Sequence, residues 1–519
     1  MGGNSIQILI SMVIYLAVVV IIGVAFAKRA NENSDNYFIG GRTLGPWITA
    51  MSAEASDMSG WLLMGLPGVA YWCGISDAIW TAIGLAIGTY INWLVVAKRL
   101  RRYSVAAGDS ITIPEFFSNR FKENKKIILA ISALFILVFF AVYAGSCFVT
   151  FGKLFSTLFG ANYQTVMIIG AIIVISYTFL GGFLAESASD FIQGVIMILA
   201  LCIILVIGII EAGGISAVIT NIKEIPGFFD FFGIASPELI DKVQQVSDGK
   251  PLFGEAGKYG LLTIISTMSW GLGYFGMPQV LLRFMAINKV SELKRSRRIA
   301  TTWCVISLAA AVFIGLLGRC LYPVELLTKS SAESIFIVMT RGLVPPLLAG
   351  IFMSGILAAT MSSSDSYLLI AASAFAKDIF KGIMKKNATD KQVMNMTRIT
   401  LLAVAVFGII IALDETSVIF EVVSFAWAGF GATFGPIMLF SLFWKRTTRG
   451  GAIAGMLTGG SMVFIWNLLL KPIGGIFGIY ELLPAFVLSC VVIIIVSLVS
   501  KKPSKEIQDE FERAKTLEC

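Results

Sequence analysis

Residues 52–61 read Ser-Ala-Glu-Ala-Ser-Asp-Met-Ser-Gly-Trp, and Leu62-Leu63-Met64-Gly65-Leu66-Pro67-Gly68 follows at once. A polar, small-residue break therefore sits inside an otherwise apolar run. Ser and Asp side chains compete with the backbone for helical hydrogen bonds, and Gly60 lowers the cost of unwinding. An unwound segment frees backbone carbonyls, and hydrocarbon offers them no partner. A dehydrated cation does, because hard cations take oxygen ligands. Asp57 adds formal negative charge beside them. A carboxylate inside a membrane span is costly and marks a functional site by default. The alternative is that Asp57 caps a helix break or pairs with Arg42 and binds nothing.

Composition places this segment in a bilayer. The chain has 519 residues, 57% hydrophobic and only 14% charged, against about 25% charged for a soluble domain. Mean hydropathy is +0.85. Ile127 to Gly152 and Phe191 to Ile210 carry no charge at all, and about 20 apolar residues span a bilayer as a helix. The runs are continuous rather than alternating, which excludes a β-barrel.

Working outward gives thirteen expected spans: 6–27, 46–70, 75–97, 127–152, 163–182, 191–212, 259–284, 299–322, 346–372, 396–413, 417–444, 450–470 and 477–500. An odd number puts the termini on opposite sides. With the N-terminus outside, 31 of the 40 Lys and Arg fall on the cytoplasmic side and 9 outside, as the positive-inside rule requires. The net charge of +8 thus follows membrane orientation and does not point to nucleic acid. Met1 to Gln7 has no positive region, and Lys28 and Arg29 follow the first apolar run, so that run reads as a retained helix rather than a cleaved signal. The loop 213–258 falls outside and should hold short structured pieces. The tail 501–519 should be cytoplasmic, with a short helix.

Histidine is absent and the seven cysteines are scattered without a CxxC pair. This removes His triads, His proton relays, a disulfide framework and a zinc site. With no metal-ligand cluster and no nucleophile–base pair, a membrane enzyme is disfavoured. A channel and a proton-coupled carrier remain as rivals to a sodium-coupled carrier.

The spans form two groups of five, 46–212 and 259–444, flanked by peripheral helices at 6–27 and 450–500. Five is odd, so the second group is inverted relative to the first. Each opens on a glycine-interrupted helix, the second at Gly271-Leu272-Gly273-Tyr274-Phe275-Gly276. Broken helices at matching positions of inverted repeats point to a transporter's midplane site. Late in the ninth span lies Ala358-Ala359-Thr360-Met361-Ser362-Ser363-Ser364-Asp365-Ser366. Its Ser362 and Ser363 hydroxyls are neutral oxygen donors suited to sodium, unless they bond back one turn along their own helix. Trp270 and Tyr274 share a face if the helix holds there and could wall a site for a small ring with a charged end, or simply pack. Pro278 implies a kink. No role is assigned to Asp365.

These stretches resemble the sodium:solute symporter family, most closely its sodium/proline symporters. The likeness runs over nearly the whole chain, through Gly40 to Pro46, Ala55 to Gly68, Tyr177 to Ala185, Trp270 to Pro278 and Phe425 to Gly431. It implies an all-α membrane protein with a five-plus-five inverted core of the LeuT type. It implies a sodium site between the second and ninth spans, with the carbonyls of Ala55, Met58 and Ala359 and the hydroxyls of Ser362 and Ser363 as ligands. Asp57 would be an essential carboxylate near sodium, supported by Ser59 and Gly60. Trp270, Tyr274 and Pro278 match positions used around proline, and Arg42 and Asp190 match charged positions important for sodium-linked transport at the cytoplasmic side. The family commonly has Thr where Ser363 stands, a small residue at Glu54 and a polar one at Met277. The implied activity is L-proline import with Na⁺ across the cell membrane, with no other cofactor and no obligate protein partner. A sodium- or proton-coupled carrier of another small organic solute remains as its rival.

Overall fold

The computed structural model describes residues 3–30 and 34–518. Among them, ten helices are long and apolar enough to cross a bilayer. Three shorter apolar helices, Trp61–Cys73, Tyr163–Phe179 and Leu261–Gly273, match the expected spans 46–70, 163–182 and 259–284, the first running on to Cys73. Large apolar side chains such as Ile21, Ile210, Phe407 and Val499 are exposed, as a lipid-facing belt requires. The Pro346–Ser373 helix is the hub. It packs against Gly3–Ala30, Ile127–Phe159 and Tyr163–Glu211, and every residue from Met353 to Ser373 is buried.

Both expected interruptions are real, but their chemistry differs from expectation. The Pro46–Asp57 helix stops where Met58 turns to φ −87°, ψ 76°. Gly60 is helical at φ −51°, ψ −19°, so it is not the point of unwinding. A Cβ there would overlap the Thr150 side chain, so Gly60 permits close approach of the Ile127–Phe159 helix. In the second group, Pro278 does not kink a continuous helix. The helix ends at Gly273, Met277 is extended at φ −73°, ψ 109°, and Pro278 opens a new helix at its first turn, where a missing N–H costs nothing.

Several boundaries move. The sixth span begins directly after Gly182, whose φ of 53° and ψ of −167° break the Tyr163–Glu211 helix. Residues 183–190, expected as a cytoplasmic loop, are helical because Arg283 and Ser52 satisfy the charges of Glu186 and Asp190. The third span continues through one π-helical turn to Ala106, so the basic run 98–102 is helical. The fourth continues to Phe159, carrying Lys153 into a buried ion pair with Glu333 at 2.8 Å. The loop 213–258 contains the helix Ile215–Lys223 and three two-residue antiparallel pairings. The tail forms the helix Lys505–Thr516.

Candidate functional site

The first break faces the middle of the Pro346–Ser373 helix. Ser362 Oγ donates to the Ala55 carbonyl at 2.5 Å, and Ser363 Oγ reaches the same oxygen at 3.4 Å. Neither bonds back along its own helix, the alternative open to them from sequence. By contrast, Ser364 does bond back, to the Thr360 carbonyl. Ala55, Asp57, Met58, Ser59, Ala359, Ser362 and Ser363 are all buried. Ala359 stands one turn before Ser363 on the hub helix.

Asp57 does not pair with Arg42. Its Oδ1 accepts from Gln279 Nε2 at 3.3 Å, across the second break. Asp57 Oδ2, Gln279 Oε1 and Tyr274 Oη are buried and make no hydrogen bond. Unbonded buried polar atoms are rare and expensive, and a cluster of them at two helix breaks suits polar cargo. The backbone freed at the breaks is largely satisfied. Asp57 O accepts from Ser59 N at 3.1 Å, Trp61 Nε1 at 3.3 Å and Tyr143 Oη at 3.4 Å. Tyr274 O accepts from Asn92 Nδ2 at 3.0 Å, and Trp270 O from Trp427 Nε1 at 2.8 Å.

Beside the breaks stands an aromatic wall. Trp270 and Tyr274 both pack on Trp427, with ring centroids 5.7 and 5.1 Å away, and Trp61 is 6.1 Å from Trp270. On its other side Trp270 meets Phe420 and Tyr480 and lines a vestibule of about 880 Å³. A neighbouring cavity of about 1020 Å³ is lined by Lys153, Lys329, Asp414 and Glu421. Hydrogen bonds from Thr416, at 2.7 and 2.9 Å, hold the exposed Asp414 carboxyl below the usual range. Trp270 thus lies between this vestibule and the buried polar cluster.

Three expected residues lie apart from this centre. Pro278 lines a small cleft with Thr112, Ile136 and Ser373. Arg42 donates to Met285 O at 2.5 Å and Ser110 O at 2.6 Å and meets Asp109 at 3.1 Å, so it clasps the end of the Pro278–Ala286 helix. Asp190 accepts from Ser52 at 2.6 Å and faces Arg283 at 3.4 Å. Sequence reasoning missed Arg283, which binds Glu186, Asp190, Ser52 and the Gln279 carbonyl. Its signal was present: a lone arginine in an apolar span needs a buried partner. Gln279 and Asn92 gave no comparable signal, since neutral amides in a span fit ordinary helix packing.

The chain resembles proteins of known type over almost its whole length. It is 41% identical to sodium/proline symporter 2 of Staphylococcus saprophyticus, covering 98% of this chain and 96% of that one. It is 40% identical to the osmoregulated proline transporter OpuE of Bacillus subtilis, covering 96% of each. In fold it matches a solved Na⁺-coupled sialic acid symporter in a substrate-bound outward-open state, with TM-score 0.75, 18% identity, and coverage of 97% of this chain and 99% of that one. With the matching family description covering residues 37–459, the chain belongs to the sodium:solute symporter family.

Proposed function

We propose that this chain imports L-proline together with Na⁺ by alternating access. The observation that carries the reading is the convergence of Ser362 and Ser363 on the Ala55 carbonyl beside the half-unbonded Asp57. Oxygen donors tying the first broken helix to the hub helix suit a small monovalent cation. Ala55, Met58 and Ala359 carbonyls and the two hydroxyls form the ligand set, with Asp57 as nearby countercharge, Ser59 at the break and Gly60 just after it leaving room for Thr150. Proline, a compact ring with a charged end, suits the aromatic wall of Trp270 and Tyr274 above Asp57 and Gln279. Relatives at about 40% identity that are named for proline support that choice of cargo.

Sodium bound between the two helices favours the conformation that binds proline better, so the ligands share a coupling free energy. One charge moving down ~100 mV supplies ~2.3 kcal/mol, and a tenfold sodium gradient adds ~1.4 kcal/mol. One sodium per proline could sustain roughly a several-hundred-fold proline gradient.

The same reading gives thirteen crossings, inverted repeats at 46–212 and 259–444, and an N-terminus outside. Its support is grouping: Lys153, Lys329 and Asp414, from three loops assigned outside, meet Glu421 of the eleventh span at one mouth. The deciding experiment is labelled proline uptake into proteoliposomes. Accumulation should follow an imposed sodium gradient at fixed pH and vanish with potassium in its place. Accumulation driven by a proton gradient alone would reject sodium coupling.

A further inference from the structure

A cavity of about 660 Å³ lies away from the transport centre, between the Ala97–Ala106 and Leu293–Leu321 helices. Lys98, Arg102, Lys289, Lys294 and Arg297 line it, with Glu518 as the one acid among its lining residues. Among the described residues, no ion pair forms with Lys98, Lys289, Lys294 or Arg297. Arg297 instead lies over the Tyr90 ring, 5.4 Å from its centroid. Arg102 donates to the Lys515 carbonyl at 2.6 Å, while its buried Nε makes no hydrogen bond. Five cations against one carboxylate leave an excess of positive charge, so the cavity favours an anion.

The surface next to the cations identifies the kind of anion. Tyr90, Ile91, Leu94 and Val95, in the turns just before Lys98, are all exposed, at 44%, 38%, 46% and 36%. These residues continue the apolar outer face of a helix long enough to cross a bilayer. A basic cavity at the foot of an apolar ridge matches an amphiphile, with phosphate among the cations and acyl chains along the ridge. Basic cavities between membrane helices on the cytoplasmic side bind anionic headgroups. A free phosphate would use the cations and leave the ridge without a role.

We propose that this cavity is a binding site for an anionic phospholipid of the cytoplasmic leaflet, with Lys98, Arg102, Lys289, Lys294 and Arg297 receiving its headgroup. Trp93 forms the inner wall, and its indole N–H reaches Glu54 at 3.4 Å. The headgroup therefore rests one side chain away from the first broken helix. Glu518 is the chain's own carboxylate at the cavity, and a bound headgroup displaces it.

The test is native mass spectrometry of the full-length protein in detergent, titrated with phosphatidylglycerol and with phosphatidylcholine. Lys98→Gln, Lys289→Gln and Lys294→Gln combined should weaken phosphatidylglycerol binding by roughly 100-fold, from the share each cation contributes. All three lysines are exposed, so an unchanged melting temperature should accompany the loss. Lys385→Gln, Lys386→Gln and Lys501→Gln combined remove the same charge elsewhere and should leave binding intact. Millimolar inorganic phosphate should not compete. Retained affinity in the first variant, equal loss in the second, or competition by phosphate would each overturn the lipid site.

Discussion

Asp57 keeps one oxygen bonded to Gln279 and the other unbonded in a buried setting. A carboxylate held this way needs a positive partner during its working cycle. Asp57→Asn preserves shape and removes the charge, so sodium-dependent proline uptake should fall at least 100-fold while the protein still reaches the membrane. Uptake at the parental rate would remove Asp57 from the sodium reading. Ser362 differs in kind, since it contributes a neutral hydroxyl already aimed at the Ala55 carbonyl. Losing one such donor costs about 1–1.5 kcal/mol, so Ser362→Ala should raise the half-saturating sodium concentration by roughly tenfold. A superimposable sodium titration would exclude its hydroxyl as a ligand.

Whole elements meet through glycine at the second break. A Cβ on Gly271 would overlap the carbonyl oxygen of Gly84, and one on Gly88 would overlap that of Gly271. Both clashes are backbone against side chain, with no flexible end to yield. Gly271→Ala should therefore lower the yield of monodisperse protein sharply. Gly260→Ala, where a Cβ meets nothing within 4 Å, should not; similar losses in both would discard the close-crossing account. Arg283 joins the Pro278–Ala286 helix to Glu186 and Asp190 of the neighbouring element. Arg283→Ala leaves buried carboxylates uncompensated, at about 3–5 kcal/mol. The melting temperature should drop clearly, and adding Glu186→Gln should recover part of it. No recovery would mean that the arginine acts through packing alone.

For the whole molecule, the orientation reading separates two faces that the fold collects from distant loops. In a cysteine-free background, Asp248→Cys should react with a membrane-impermeant thiol reagent on intact cells. Ser504→Cys should react only after the membrane is opened. The reverse pattern would invert the topology. On that orientation reading, the vestibule beside Trp270 and the proposed lipid cavity at Lys98 face opposite sides of the bilayer, which would keep access to cargo apart from contact with lipid headgroups.

By itself the sequence determined the fold class, because about 20 uncharged apolar residues leave the backbone no option in hydrocarbon except a helix. It also located the two breaks, through Ser56, Asp57 and Ser59 in one and Gly271, Gly273 and Gly276 in the other, since local competition for hydrogen bonds is written in neighbouring residues. Only the tertiary structure decided what each polar group faces. Ser362 meets a carbonyl 307 positions earlier in the chain, Gln279 meets Asp57, Asp190 sits inside a helix rather than a loop, and Pro278 and Arg42 stand apart from the aromatic wall. Such pairings depend on how the helices cross, and helix crossing is set by packing among residues far apart in sequence. No local spacing encodes it.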